Sequence, residues 1–298
     1  MTIELTVHGK AALERLGDRR VVAAISGGKD SAAMSLHLRE LGIDHDRVFM
    51  DTGWEHPATY EYLRGELTRV LGPITEIRGD LLMPDLIRKK GMFPSRRIRF
   101  CTQELKVKPM QRYLAAMDCD VVNAVGIRRA ESHARSQMVE WEWSKGFDCE
   151  TWRPLVLWTE QDVIDIHGRH GLAPNPLYLR GASRVGCWPC IHARKSELRL
   201  IADVSPERIA EIRQLEADVT AAAAERYAAQ GETFESKGFM KPSFFQAPLG
   251  ATGECWPIDR VVEWSRTLRG GRVEDKQTEL FAARDEGCMR WGLCETDE

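Results

Sequence analysis

Over the first 130 residues, apolar positions fall into two rhythms. Residues 21–25 (VVAAI), 47–50 (RVFM), 74–77 and 120–125 (DVVNAV) are short apolar runs bounded by charge or glycine, and they read as buried parallel strands. Helical spacing fills the gaps between them. Residues 30–41 put Ala33, Met34, Leu38 and Leu41 on one face, and Gly42 ends the run. Residues 57–70 and 106–117 predict two more helices, residues 4–16 a short amphipathic one, and residues 162–170 another. Asp51-Thr52-Gly53 follows the second strand as a turn. This alternation predicts an α/β fold, an open parallel sheet with helices on both faces.

The character changes near residue 200. Residues 206–230 predict a long helix: Ser205 can cap it, Pro206 suits its first turn, and alanine is abundant. Residues 231–258 are rich in Gly, Pro and aromatics and read as irregular, 259–268 as one more helix, and the tail from Gly270 is polar until Cys288 and Cys294. The expected organisation is an α/β domain over 1–200 and a helical, irregular extension over 201–298 that carries a cysteine-containing tail.

Charge narrows the classes. Across 298 residues, 42 Lys+Arg against 45 Asp+Glu leave a net charge of −3, which excludes a uniformly basic nucleic-acid coat and an acidic disordered tail. No apolar run approaches the roughly 20 residues of a membrane span, and the first twenty residues lack a signal-peptide stretch, so a cytoplasmic protein without a membrane partner is expected. In that reducing compartment the eight cysteines point to metal binding, redox chemistry or burial rather than disulfides.

The strongest chemical signal is Ser26-Gly27-Gly28-Lys29-Asp30-Ser31, between the first strand and its helix. Two glycines let backbone N–H groups approach phosphate oxygens, and the helix start adds its positive end. Lys29 offers a full charge, Ser26 and Ser31 offer hydroxyls, and Asp30 can hold hydrated Mg²⁺. The spacing is not that of a Walker A loop.

SGGKDS in this setting resembles the PP-loop of the ATP pyrophosphatase superfamily, with its adenine nucleotide alpha hydrolase-like fold. The resemblance implies that the six loop residues bind nucleotide phosphates, with Lys29 and Asp30 as the catalytic pair, and that ATP with Mg²⁺ is cleaved between the α and β phosphates to adenylate a substrate. Further segments resemble PAPS reductases: VFMDTGWEHPATYEYL (48–63), FCTQELKVKPM (100–110), VGIRRAES (125–132) with Arg135, RPLVLWTEQDVIDIHGRHGLAPNPLY (153–178) and GASRVGCWPC (181–190). These imply that Asp51, Thr52, Gly53, Gly126, Arg128 and Arg135 join the nucleotide site. Two features depart from the reductases. The Glu-Cys-Gly-(Ile/Leu)-His motif is missing, and the SGGKDS loop, which sulfonucleotide reductases lose, is intact. The expectation is therefore an ATP-using relative, in sulfur transfer or nucleic-acid modification. A thioredoxin-dependent phosphoadenylyl- or adenylyl-sulfate reductase is one alternative. A nucleotide- or nucleic-acid-binding accessory protein of a mobile-element or CRISPR-type locus is another. Nucleic acid and a second copy of the chain stay open as partners.

Cys187-Trp188-Pro189-Cys190 lets two thiolates reach one ion, with redox and zinc readings both open at this spacing. Iron–sulfur adenylyl-sulfate reductases hold a [4Fe–4S] cluster with a Cys-Cys pair and a Cys-x-x-Cys, so the resemblance implies Cys101, Cys187 and Cys190 as ligands. Cys294 is the chosen fourth ligand, ahead of Cys288 or Cys255, with zinc as the alternative metal. Cys119 is expected in the core, and Cys149 receives no role. Arg88, Lys89, Lys90, Arg96, Arg97 and Arg99 form a basic cluster expected in a loop. Trp54 and Trp188 flank motifs and are candidate walls of the adenine pocket. His167 and His170, at helical i, i+3 spacing, are expected to be hydrogen-bonded or exposed, not metal-bound.

Overall fold

The structure, a computed structural model, describes residues 7–236, 241–245, 255–267 and 291. Six strands form one sheet in the order β3-β2-β1-β4-β6-β5. They are Arg20–Ile25 (β1), His45–Asp51 (β2), Thr75–Arg78 (β3), Val121–Val125 (β4), Trp141–Ser144 (β5) and Cys149–Trp152 (β6). All neighbouring pairs are parallel except β5 with β6. The parallel sheet expected from the sequence is present, with an antiparallel edge strand added to it.

Helices cover both faces, so the central strands are buried on both sides and can be continuously apolar. Val21, Ala23 and Ile25 of β1 point into a core shared with Val7–Leu16 (α1), Lys29–Glu40 (α2) and the helical stretch that begins at Pro57–Tyr62 (α3). Val22 points the opposite way, to Met110 and Leu114 of Lys108–Ala115, the helix before β4. One period-two strand thus serves two cores. The basic cluster is only partly a loop. Arg88, Lys89 and Lys90 close a helix, Met83–Lys90, whose carboxyl end favours their charge and which stops at Gly91 in the left-handed region. Cys119 is exposed, contrary to expectation, because it lies in the polar turn before β4, whereas Cys149 is buried in the second core.

The helix Lys195–Val204 runs across residue 200, and a third core joins the two parts of the chain. Trp54, Ile87, Phe100 and Leu105 pack there with Ile201, Ile212 and Leu215. Ile212 and Leu215 lie on the long helix Pro206–Ala228 and are fully buried. Burying each side chain contributes roughly 1.5–3 kcal/mol. Trp54 stacks on Phe244 and donates its indole N–H to the Pro189 carbonyl, so it belongs to this core rather than to an exposed pocket wall. Among the described residues no helix is long and apolar enough to cross a membrane.

Glu216 holds the last described segments to the long helix. It is buried, and its two carboxylate oxygens accept the backbone N–H groups of Phe244 and Ile258. Burial pushes its pKa up, although the two N–H donors oppose the shift. Glu216→Ala would leave two buried N–H groups unpaired, and we expect it to cost about 1–3 kcal/mol. Urea denaturation checks this, and an unchanged midpoint would contradict it.

Candidate functional site

β1 is central, and its carboxyl end delivers Ser26 into the loop that becomes α2. Within the loop, Ser31 Oγ accepts the Ser26 N–H at 3.1 Å and donates to the Gly28 carbonyl at 3.0 Å, which closes the turn on itself. Gly27 has φ of +74°, a left-handed conformation that only glycine adopts without strain. A Cβ there would also stand 2.8 Å from Thr59 Cγ2. The first turn of α2 leaves N–H groups without helical partners, the property that makes such an end an anion site.

Side chains from later in the chain hold the loop from outside. Asn175 donates its amide to the Gly27 carbonyl at 3.2 Å. The Lys29 N–H donates to the Tyr178 hydroxyl at 3.1 Å, and His167 Nε2 donates to the Lys29 carbonyl at 3.0 Å. Asn175 caps the short helix Pro176–Leu179, which carries Tyr178, and His167 lies near the end of Glu160–Arg169. Gly126, just past β4, closes the other side. A Cβ on it would meet the Asp30 carbonyl oxygen at 2.6 Å, so only glycine lets β4 end this close to the loop.

A cleft of about 330 Å³ opens against this loop. Ser26, Gly28, Asp30 and Ser31 line it, as do Gly126 and Arg135. So do two cations that the sequence did not single out, Lys106 and Arg184. Lys106 sits on a π-helical turn, Gln103–Val107, an irregularity frequent at functional sites. Arg135 pairs with Glu131, and Arg184 with Glu197 at 3.2 Å.

Other expected site residues take different places. Lys29 does not line the cleft; its ammonium lies 3.4 Å from Glu160 and 3.9 Å from Asp30, over the Tyr178 ring. Arg128 is buried and donates to Asp30 Oδ1, so it is committed to the loop. The Asp51-Thr52-Gly53 turn is also turned inward. Asp51 accepts from Gly53 N–H, Tyr60 and Arg78, and Thr52 donates to Glu55 at 2.8 Å. Burial pushes the Asp51 pKa up, but these donors prevail and hold it below the usual carboxylate range. Trp188 does line the cleft, and its indole is anchored to Ser205. His167 and His170 are both hydrogen-bonded, the latter to Glu40 at 2.8 Å.

The fold brings Cys101, Cys187 and Cys190 into one neighbourhood around Lys106 and Glu55. The Cys187 sulfur, with Glu55 and the other two thiols, favours the charged form of Lys106. Burial pushes the Cys101 and Cys187 thiols up. Three thiols suit zinc or an iron–sulfur cluster as donors. Among the described residues, however, no group of three or more His, Cys, Asp or Glu side chains is arranged to hold a metal. The cation of Lys106 lies within electrostatic reach of all three sulfurs. Cys255 lies beside Glu216 instead, and Cys288 and Cys294 lie outside the described residues.

The phosphoadenosine phosphosulfate reductase domain matches residues 20–193. A protein of Escherichia phage 186, called an uncharacterized 37.8 kDa protein in the gpa 5′ region, is 31% identical over 92% of this chain and 96% of its own. The adenosine 5′-phosphosulfate reductase of Streptomyces coelicolor is 30% identical over 60% of this chain and 74% of its own. Among solved structures, phosphoadenylyl-sulfate reductase from Candida auris covers 62% of this chain and 89% of its own, with a TM-score of 0.49 and 17% identity.

Two outcomes are expected. Gly126→Ala pushes a methyl into loop backbone and should cost about 1–3 kcal/mol in urea denaturation, the usual cost of overpacking. Wild-type stability would mean that β4 and the loop move apart freely. The second outcome concerns pH. Burial holds His45, His56 and His167 below the ordinary imidazole range. The unfolded chain takes up their protons near pH 6.5 while the native state resists, so the stability they contribute is present above that pH and lost as pH falls, by up to about 1.4 kcal/mol per unit for each. His167→Gln should flatten the decline between pH 7 and 5, and an unflattened decline would show that His167 is not kept neutral by the fold.

Proposed function

The chain belongs to the phosphoadenosine phosphosulfate reductase domain family of the PP-loop superfamily, and from that premise we propose that it cleaves ATP between the α and β phosphates and passes the adenylyl group to an acceptor. The observation that carries this reading is the unbroken Ser26–Ser31 loop, open to a cleft that three cations also line.

An acceptor nucleophile attacks the α phosphorus, forming the new bond as the α–β bridging P–O bond breaks. The electron pair leaves with pyrophosphate. Negative charge therefore grows on the β and γ side, where loop N–H groups and the α2 amino end are already oriented. Lys106, Arg135 and Arg184 add positive charge along the cleft. Lys29 lies between Asp30 and Glu160, so a polyphosphate on the loop competes with Glu160 for its ammonium. Asp30 has one oxygen held by Arg128 and would hold hydrated Mg²⁺ through the other. Mg²⁺ bound there supplies charge neutralisation for the leaving pyrophosphate. No step of adenylation runs through the Cys101, Cys187 and Cys190 thiols, which among the described residues form no metal-holding group.

Pyrophosphate and the adenylylated acceptor should appear from ATP with Mg²⁺ in the presence of an oxygen nucleophile, and AMP where that nucleophile is water. Lys29→Ala should weaken ATP binding at least tenfold, as expected for losing a charge-assisted contact worth about 1.5–3 kcal/mol. Sulfite release from phosphoadenylyl or adenylyl sulfate, without ATP cleavage, would overturn the proposal in favour of a reductase.

A further inference from the structure

The phosphate loop uses the oxygen of Tyr178 but not its proton. Tyr178 is only 5% exposed, yet it lines the cleft. Its hydroxyl accepts the Lys29 N–H at 3.1 Å, and the Val185 backbone also favours that oxygen as an acceptor. The oxygen stands 3.3 Å from the place where a Cβ on Gly28 would be, so it lies directly against the loop. Among the described residues its hydrogen has no acceptor. The ring itself is held. The Lys29 ammonium lies 5.0 Å from its centroid, and the Trp291 ring packs at 5.9 Å while also meeting His167 at 5.2 Å. Rotation about the C–O bond is the freedom left to the group. Burial, with the Asp30 charge nearby, pushes the phenol pKa above its ordinary range, so the proton is retained.

We propose that Tyr178 donates its hydroxyl hydrogen to a phosphate oxygen of a nucleotide bound on the loop, so that the helix Pro176–Leu179 completes the phosphate site. This rests on the nucleotide reading of the cleft. The chemistry suits the position. Backbone N–H groups fix the oxygen, a neutral donor adds no charge to a crowded site, and a phosphate oxygen is the acceptor it lacks. Hydrogen bonds to charged acceptors are about twice as strong as neutral ones. Sequence reasoning saw Asn-Pro-Leu-Tyr only as part of a family segment, because the role depends on a contact 149 residues away.

Tyr178→Phe tests this, because it keeps the ring against Lys29 and Trp291 and removes only the hydroxyl. Calorimetry with ATP, pyrophosphate and adenosine should show affinity falling about tenfold for ATP and pyrophosphate. Adenosine binding should stay unchanged, while the thermal midpoint falls because the Lys29 N–H loses its acceptor. Equal ATP affinity in both proteins overturns the proposal, as does a parallel loss for ATP and adenosine, which would mark a purely structural role. If the Phe variant does not fold, 3,5-difluorotyrosine at 178 replaces it. That phenol ionises at lower pH, and its ATP affinity should fall as pH rises while the wild type's holds. A matching profile overturns the proposal. Wild-type protein that binds neither ATP nor pyrophosphate overturns the nucleotide reading together with this one, whereas failure of the variants alone leaves that reading standing.

Discussion

The site depends on the backbone of Gly27, Gly28 and Lys29 being held by side chains from outside the loop. A glycine-rich turn gives close approach to a ligand at the cost of conformational freedom. Here the freedom is removed from outside. Asn175 fixes the Gly27 carbonyl, while Tyr178 accepts the Lys29 N–H and His167 donates to the Lys29 carbonyl. These groups are buried, so each bond is shielded from competing water. The close approach of Gly126 then leaves little room for the loop to relax toward β4.

The sheet order explains how such distant residues meet. With β1 between β2 and β4, the loop opens at a carboxyl edge flanked by two other strand ends, the usual place for ligands in open α/β sheets. The segment after β6 passes over this edge and brings His167, Asn175 and Tyr178 to the loop, then the Cys187 and Cys190 thiols. The third core holds Lys106 and Cys101 beside them through Phe100 and Leu105. The long helix Pro206–Ala228 thus packs in the same core as residues that line or flank the cleft.

Much of this was legible in the sequence where the signal is local. β1 to β4 and their helices follow from apolar rhythm, and the loop follows from its position between a strand and a helix. β5 and β6 were not legible. Each is four residues long, and β5 exposes Glu142 and Trp143, so neither shows the apolar run of a buried strand. Met83–Lys90 was hidden by its cationic last turn. Gly126 and Arg135 line the cleft, whereas Lys29, Arg128 and Asp51 are engaged by Glu160, Asp30 and Arg78, partners distant in sequence or in the loop that no spacing rule reveals. Lys106, which lines the cleft from a π-helical turn, was missed because such a turn is invisible in periodicity. Contacts of this kind are fixed by tertiary packing, and only the assembled fold displays them.

The central claim is that this externally clamped loop is the phosphate site. A crystal structure with a non-hydrolysable ATP analogue and Mg²⁺ tests it most directly. The account predicts polyphosphate oxygens on those N–H groups of the Ser26–Ser31 loop that Ser26, Ser31 and Tyr178 do not occupy, with Asn175, His167 and Tyr178 still holding its backbone. An analogue bound elsewhere, or bound on a loop that has left its clamp, would contradict it.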